Sequence, residues 1–209
     1  MTAPGENDDF DPSAAAALLQ QTTHRVRRST AVRTPVVYAG WGVAWLVGLG
    51  GMWLSVRDQR PYHGPATAPT VVLGVLLAAA LALTMVVVLR PTRGISGQSE
   101  AQGRIFGLAW LCGFVLVFTL MDALGRLGAD PAVLGTVGGA APMLVTSLSY
   151  LVGAAAWLDR AMLTMGLWLA LVTAVGVYTG PVTLLFIAAT AGGGGFLLMA
   201  GFLWWRSRS

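Results

Sequence analysis

Six long apolar stretches, separated by short polar or Gly- and Pro-containing segments, constrain this 209-residue chain more than any other feature. A helix needs about 20 mostly apolar residues to cross the hydrocarbon core of a membrane. In lipid each stretch must satisfy its own backbone hydrogen bonds, and the alternating polarity of barrel strands is absent. The sequence therefore predicts an all-α, polytopic transmembrane helix bundle over 35–205. The expected spans are 35–56, 70–89, 105–124, 131–158, 161–178 and 182–205.

Composition agrees with this fold class and excludes others. Hydrophobic residues make up 56% of the chain, charged residues 11%, and the mean hydropathy is +0.70. A soluble domain would be about 25% charged, so neither an ordinary soluble enzyme nor a disordered chain fits. All 13 basic residues are Arg and the net charge is +4. Because these Arg residues flank the apolar stretches, membrane topology explains them, and we expect no nucleic-acid partner.

The distribution of Arg predicts an orientation. With the N-terminus in the cytoplasm, ten Arg lie in inner segments and three in outer ones, as the positive-inside rule requires. Lysine is absent and Ala, Gly, Val and Leu are abundant, which indicates a GC-rich bacterial genome. We therefore predict a multi-pass protein of the bacterial plasma membrane with both termini cytoplasmic. Aromatic residues such as Tyr38, Trp53 and Trp204 are expected near the two interfaces.

The N-terminal segment precedes the first span and divides in two. Residues 1–11 are acidic and are expected to form a disordered tail. Asp11 and Pro12 resemble a helix cap and first turn, so 12–30 is predicted to be a cytoplasmic amphipathic helix. Arg25, Arg27 and Arg28 would then contact lipid headgroups of the inner leaflet. A solvated helix that packs on a neighbour is the alternative.

The boundary between the last two spans is the weakest of the five. Gly180 and Pro181 separate them, and no charged residue lies between 178 and 183. Two separate crossings are expected, and a single re-entrant unit is the alternative.

Small residues recur at four-residue spacing in most spans, for example Gly40, Ala44 and Gly48 in the first. Such ridges let helix backbones approach closely, which predicts either a tight bundle or a homodimer face. The sixth span also contains four consecutive glycines: Gly192, Gly193, Gly194 and Gly195. Close packing against a neighbouring helix is the first interpretation of this run, and a flexible point that lines a cavity is the second.

The polar residues inside the spans are candidates for a transport pathway. Asp122 is the acidic residue deepest in an apolar run, and Arg126 follows at the i+4 spacing of a helical ion pair. An interfacial ion pair and a proton or cation site are both consistent with this spacing. The fourth span contains Pro142, followed by the hydroxyl-bearing residues Thr146, Ser147, Ser149 and Tyr150. These hydroxyls either stabilise the helix and its contacts or line a substrate path.

No pattern in the chain predicts catalysis. The two histidines, His24 and His63, have no second ligand at metal-binding spacing, and the single cysteine, Cys112, lies in an apolar run. Metalloprotease and serine-hydrolase motifs are absent. We therefore expect no enzyme activity, no cofactor, no metal site and no catalytic residue.

Taken together, several segments resemble a group of small six-span actinobacterial membrane proteins of unknown function, often labelled only as membrane proteins or transporters. The resemblance covers nearly the whole chain and is structural in character. The segments that carry it are Arg25-Val26-Arg27-Arg28, Tyr38-x-x-Trp41-Gly42-x-Ala44-Trp45-Leu46-x-Gly48, Arg93-Gly94-Ile95-x-Gly97, Ala109-Trp110-x-x-Gly113-Phe114, Trp157-Leu158-Asp159-Arg160 and Gly192 to Gly195.

Two functions from different classes follow. The first is a small transporter or the membrane subunit of one, since an inner-leaflet helix and six spans are similar to the permease half of export-type ABC transporters. Such a subunit would need a separate ATPase, because this chain has no nucleotide-binding motif. The alternative is a non-catalytic structural or regulatory protein that binds a partner, or forms a homo-oligomer, through small-residue helix faces. Besides the lipid bilayer, the expected partners are therefore a second copy or an ATPase subunit.

Overall fold

A computed structural model describes residues 34–92 and 98–208. The predicted tail over 1–11, the amphipathic helix over 12–30 and the headgroup residues Arg25, Arg27 and Arg28 lie outside the described residues.

The described residues form helices joined by short turns, and no strand occurs in these ranges. Six helical stretches are long and apolar enough to cross a membrane, which confirms the predicted all-α bundle. The first five spans are single helices and the sixth is composite, because two α-helices in it flank a π-helical segment. The helices are α1 (Thr34–Val56), α2 (Thr67–Thr92), α3 (Gln98–Arg126), α4 (Pro131–Trp157), α5 (Arg160–Val177), α6 (Pro181–Ile187), the π segment (Ala188–Gly193) and α7 (Gly194–Arg206).

Short polar caps set the ends of the middle helices. Asp130 starts α4 by accepting a hydrogen bond from the Ala132 amide at 2.7 Å, with Pro131 in the first turn. Asp159 starts α5 in the same way, accepting from the amides of Ala161 and Met162. α2 and α3 run several residues further than the apolar stretches predict, because polar residues at a membrane surface continue a helix without the cost of entering lipid.

The last two spans are two separate antiparallel helical stretches. α5 ends at Val177, and Gly180, with a φ of 82°, turns the chain before Pro181 begins α6. Across this hairpin Gly176 faces Leu184, and further along Gly195 faces Trp168. Contacts therefore join later residues of the sixth span to earlier residues of α5, which shows that the chain reverses at the predicted boundary. Both stretches are long enough to cross a membrane.

Burial divides the bundle into two regions. α1 and α5 both pack on the sixth span, and we call these three the central helices. α2 packs against α1, and α3 packs against α4. In the apolar stretches of α2 and α3 (the outlying helices) only 6% of residues are buried. The corresponding share is 28% in α1, 33% in α5 and 39% in the sixth span. α4 lies between the two groups at 17%.

Glycines let the central helices approach closely. A Cβ atom on Gly193 would lie 2.7 Å from the backbone nitrogen of Leu46 in α1. Gly192 faces the indole of Trp45, and Gly195 faces the indole of Trp168, whereas Gly194 has nothing within 4 Å of such an atom. Three of the four consecutive glycines therefore sit in tight contacts, as the packing interpretation of this run expects.

The small-residue ridge of α1 faces α2. Gly40 lies against Leu83 and Gly48 against Leu73, and Ala44 between them is buried. This ridge is therefore used inside the bundle and is not available to a second copy.

The loop between α1 and α2 covers the start of α4. The phenol ring of Tyr62 lies over Gly135, where any larger side chain would displace it. Burial at this position raises the pKa of the Tyr62 hydroxyl above its ordinary value of 10.0.

Candidate functional site

Two of the α4 hydroxyls predicted as pathway candidates are buried and already hydrogen-bonded. Thr146 donates to the carbonyl of Pro142 at 2.8 Å, one turn earlier in the same helix. Ser147 donates across the helix interface to the carbonyl of Gly166 in α5 at 2.9 Å. Ser149 is half-buried. The hydroxyls of Thr146 and Ser147 therefore stabilise α4 and its contact with α5. This is the first of the two interpretations given above for the hydroxyls of this span.

Tyr150, the fourth candidate of α4, belongs to an aromatic group that connects three helices. We call it the Tyr38 cluster: Tyr38 and Trp45 of α1, Tyr150 of α4 and Phe196 of α7. The ring centroids of Tyr38 lie 6.0 Å from those of both Tyr150 and Phe196, and Tyr150 and Phe196 are 5.7 Å apart. Trp45 meets Phe196 edge-on at 5.5 Å. Aromatic pairs favour tilted and edge-on arrangements of this kind.

The hydroxyl of Tyr38 is the unexplained polar group of this cluster. The residue is only 4% exposed, and its hydroxyl has no hydrogen-bond partner in the described part of the chain. A buried hydroxyl without a partner costs about 1–3 kcal/mol. Such an atom marks a place where a water or a ligand atom is expected. The sequence predicts Tyr38 near the membrane interface, and its place in the first turns of α1 agrees with that depth. What the sequence does not indicate is that α4 and α7 cover the ring.

Asp122 and Arg126 form an ion pair, with 2.7 Å between the Asp122 carboxylate and Nε of Arg126. Both side chains are exposed, at 63% and 78%, near the C-terminal end of the outlying helix α3. Tyr38 lies near the opposite end of the bundle, four residues after α1 begins. The structure therefore places the predicted acidic site away from the polar groups of α4.

Candidate metal ligands are not grouped in the described part of the chain. No group of three His, Cys, Asp or Glu that could hold a metal ion occurs in these ranges. Cys112 is exposed on α3, and His63 is exposed in the loop after α1. What the site offers is a buried phenol hydroxyl with aromatic walls, which can exchange a hydrogen bond with a small polar group.

Sequence reasoning missed Tyr38 for an identifiable reason. Aromatic residues near span ends are typical of interfaces, and a single sequence does not say which of them a neighbouring helix covers. One signal was present: Tyr38 lies seven residues before Trp45, so the two occupy one face of α1 and point to the same neighbour.

No protein-family model, no curated protein and no solved structure matches this chain. The resemblance to small six-span actinobacterial membrane proteins therefore stays a prediction, and the function is argued from the geometry alone.

Proposed function

We propose that this protein is a non-catalytic multi-pass membrane protein that associates with a second copy or another subunit through its outlying helices. One observation carries the proposal: in α2 and α3 only 6% of residues in the apolar stretches are buried within the chain. Helices that pack mainly against one neighbour, as α2 does on α1 and α3 on α4, leave most of their surface for lipid or for a partner. In lipid, van der Waals packing between close backbones is what stabilises such association.

The outward face of α2 has the small side chains that close helix contacts require. Gly74, Ala78 and Ala82 recur at four-residue spacing, and all three are exposed. A Cβ atom on Gly74 would have nothing within 4 Å. On α1, Leu83 and Leu73 of α2 cover the small residues that have the same spacing. This chain therefore does use such ridges for packing.

Co-purification of a tagged and an untagged copy, or of the tagged copy with other subunits, from native membranes in mild detergent tests the proposal. Gly74→Leu should reduce association about tenfold and leave the thermal stability of the single chain unchanged, because none of the described residues comes within 4 Å of a Cβ atom at this position. Gly201→Leu is the matched control, since Gly201 is also exposed with nothing within 4 Å, but lies on α7. Recovery of a lone, unassociated chain in the wild type would overturn the proposal.

Transport is the second candidate, and the unpartnered Tyr38 hydroxyl is the observation that favours it. The ring of Tyr38 packs against Phe196 of the composite sixth span, and π segments inside helices are frequent at functional sites. Hydroxyl-radical footprinting tests it without a known substrate. A hydrated pathway predicts oxidation of Tyr38, whereas a dry bundle leaves Tyr38 unmodified while Tyr178, which is 91% exposed, reacts.

The six spans make this a multi-pass membrane protein, and we propose that it lies in a bacterial plasma membrane with both termini cytoplasmic. The ten-to-three division of Arg supports this orientation. Single cysteines introduced into a Cys112→Ser background test it with a membrane-impermeant maleimide on intact cells. Asp58→Cys, between α1 and α2, should be labelled directly, and Ser207→Cys, after α7, only once the cells are permeabilised. The reverse pattern would invert the topology.

A further inference from the structure

A groove of about 520 Å³ lies on the outer surface of the bundle, between the start of α5 and the end of α7. Its walls are apolar except at one end, and most of the residues that line it are exposed or half-buried. One face of each helix supplies the walls: Arg160, Ala161, Thr164, Met165 and Trp168 from α5, and Gly195, Leu198, Met199, Phe202, Leu203 and Arg206 from α7.

The groove has the length of one membrane leaflet. Arg160 to Trp168 spans eight residues of helix, about 12 Å, and Gly195 to Arg206 spans eleven, about 16 Å. Half of the hydrocarbon core is about 15 Å thick. Trp168 closes the deep end, where its indole lies over Gly195 and its Nε1 donates to the carbonyl of Ala191 at 2.9 Å. The groove therefore runs from the membrane surface to the middle of the bilayer and stops there.

The open end of the groove is positively charged. Arg160 is the first residue of α5 and Arg206 the last of α7, so both guanidinium groups stand at the end of the bundle where α5 begins and α7 ends. Asp159, next to Arg160 in sequence, keeps its negative charge while its Oδ1 caps α5. Arg208 lies outside the groove, stacked on Trp204 with 3.4 Å between its guanidinium carbon and the ring centroid.

We propose that this groove binds one anionic glycerophospholipid of the leaflet on the side where α5 begins and α7 ends. One acyl chain lies along Leu198 and Phe202 and ends at Trp168, and the phosphate is held between Arg160 and Arg206. A basic mouth above an apolar slot is the arrangement that recognises an anionic headgroup. The site uses helices other than α2 and α3, so it is independent of the association proposed above.

Native mass spectrometry of the full chain tests this proposal. The probes are phosphatidylglycerol and phosphatidylcholine with identical acyl chains, added to delipidated protein in detergent. We expect one phosphatidylglycerol per chain to be retained about thirtyfold more tightly than phosphatidylcholine, from two Arg each worth about fivefold. Equal retention of the two lipids would mean that the groove holds only surrounding bulk lipid, and it would overturn the proposal. The same spectra would reveal a second copy, the other occupant of such a groove, as a doubled mass.

Three variants locate the lipid. Arg160→Gln combined with Arg206→Gln should abolish the preference for phosphatidylglycerol, whereas Arg208→Gln, which removes one positive charge at the same end of the bundle, should retain it. Thr164→Trp fills the groove and should weaken both lipids without changing the ratio between them. An equal loss of the preference in Arg208→Gln and in the double variant would contradict the proposal. It would show that phosphatidylglycerol is attracted to positive charge in general and not to this groove.

Discussion

The central and the outlying helices of this bundle are built from the same residues and are packed differently. Both contain small residues at four-residue spacing. Gly40 and Gly48 of α1 are covered by leucines, whereas a Cβ atom on Gly74 of α2 or Gly107 of α3 would have nothing within 4 Å in the described part of the chain. The same spacing therefore serves to close one interface and to leave another face open. Small residues therefore permit close contact in a membrane, while the position of the helix in the bundle decides whether a contact is made.

The largest expected effect separates the two kinds of glycine. Gly193→Leu should reduce the free energy of unfolding by about 3 kcal/mol, because the new side chain would push the π segment away from the backbone of α1. Gly194→Ala, the neighbouring control with open space around it, should change it little. Unfolding with increasing SDS in mixed micelles measures both. Equal effects of the two variants would contradict the tight contact at Gly193.

Removal of the unpartnered hydroxyl should act in the opposite direction. Tyr38→Phe is expected to raise the free energy of unfolding by about 1–2 kcal/mol, because the ring contacts are kept and the unsatisfied group is lost. The same SDS titration checks it, with Tyr178→Phe at an exposed position as the control. A loss of stability would show that the hydroxyl binds a structural water or ligand, which would strengthen the transport candidate.

A smaller loss is expected from the hydrogen bond between α4 and α5. Ser147→Ala should cost about 0.6–1 kcal/mol, since it removes the donor to the Gly166 carbonyl. Thr119→Ser on α3 is a comparison for an outlying helix, where the hydroxyl donates to the carbonyl one turn earlier and is exposed. We expect that variant to be neutral in the same assay. If Ser147→Ala were neutral too, the polar residues of α4 would not stabilise the packing.

The smallest effect concerns the loop over α4. Because burial raises the pKa of Tyr62, the neutral phenol favours the docked loop. The contribution of the neutral phenol to docking of the loop is complete below pH 10. It is lost as the pH rises through the raised pKa, because the ionised phenol favours release of the loop from α4. Hydrogen exchange of residues 57–66 should therefore accelerate in strong alkali beyond the normal effect of pH. Tyr62→Phe should remove this additional step, and its persistence in that variant would assign the change to another group.

The spans could be predicted because lipid imposes a length and a polarity on any helix that crosses it. The caps Asp130 and Asp159 likewise follow from local chemistry, since each precedes a helix and accepts backbone amide hydrogen bonds. These features depend on neighbours in sequence, which a single chain displays directly.

The contacts between helices could not be predicted in the same way. Arg160 and Arg206 are 46 positions apart and line one groove only because α5 and the sixth span form an antiparallel hairpin. The periodicity of α2 shows that one of its faces has small residues, but not whether another helix covers them. Tyr38 is the clearest case, because its burial depends on α4 and α7, far along the chain.

The π segment also fixes the angular position of everything that follows it. A residue added to or removed from an α-helix turns the next part by about 100°, and a π turn accommodates such an additional residue. Deletion of one residue between 188 and 193 would let the sixth span continue as a regular helix while rotating α7 about its axis. Phe196 would leave the Tyr38 cluster and Arg206 would leave the groove, in one movement. The aromatic core and the basic mouth are therefore set by a single register, and a change in that register would alter both together.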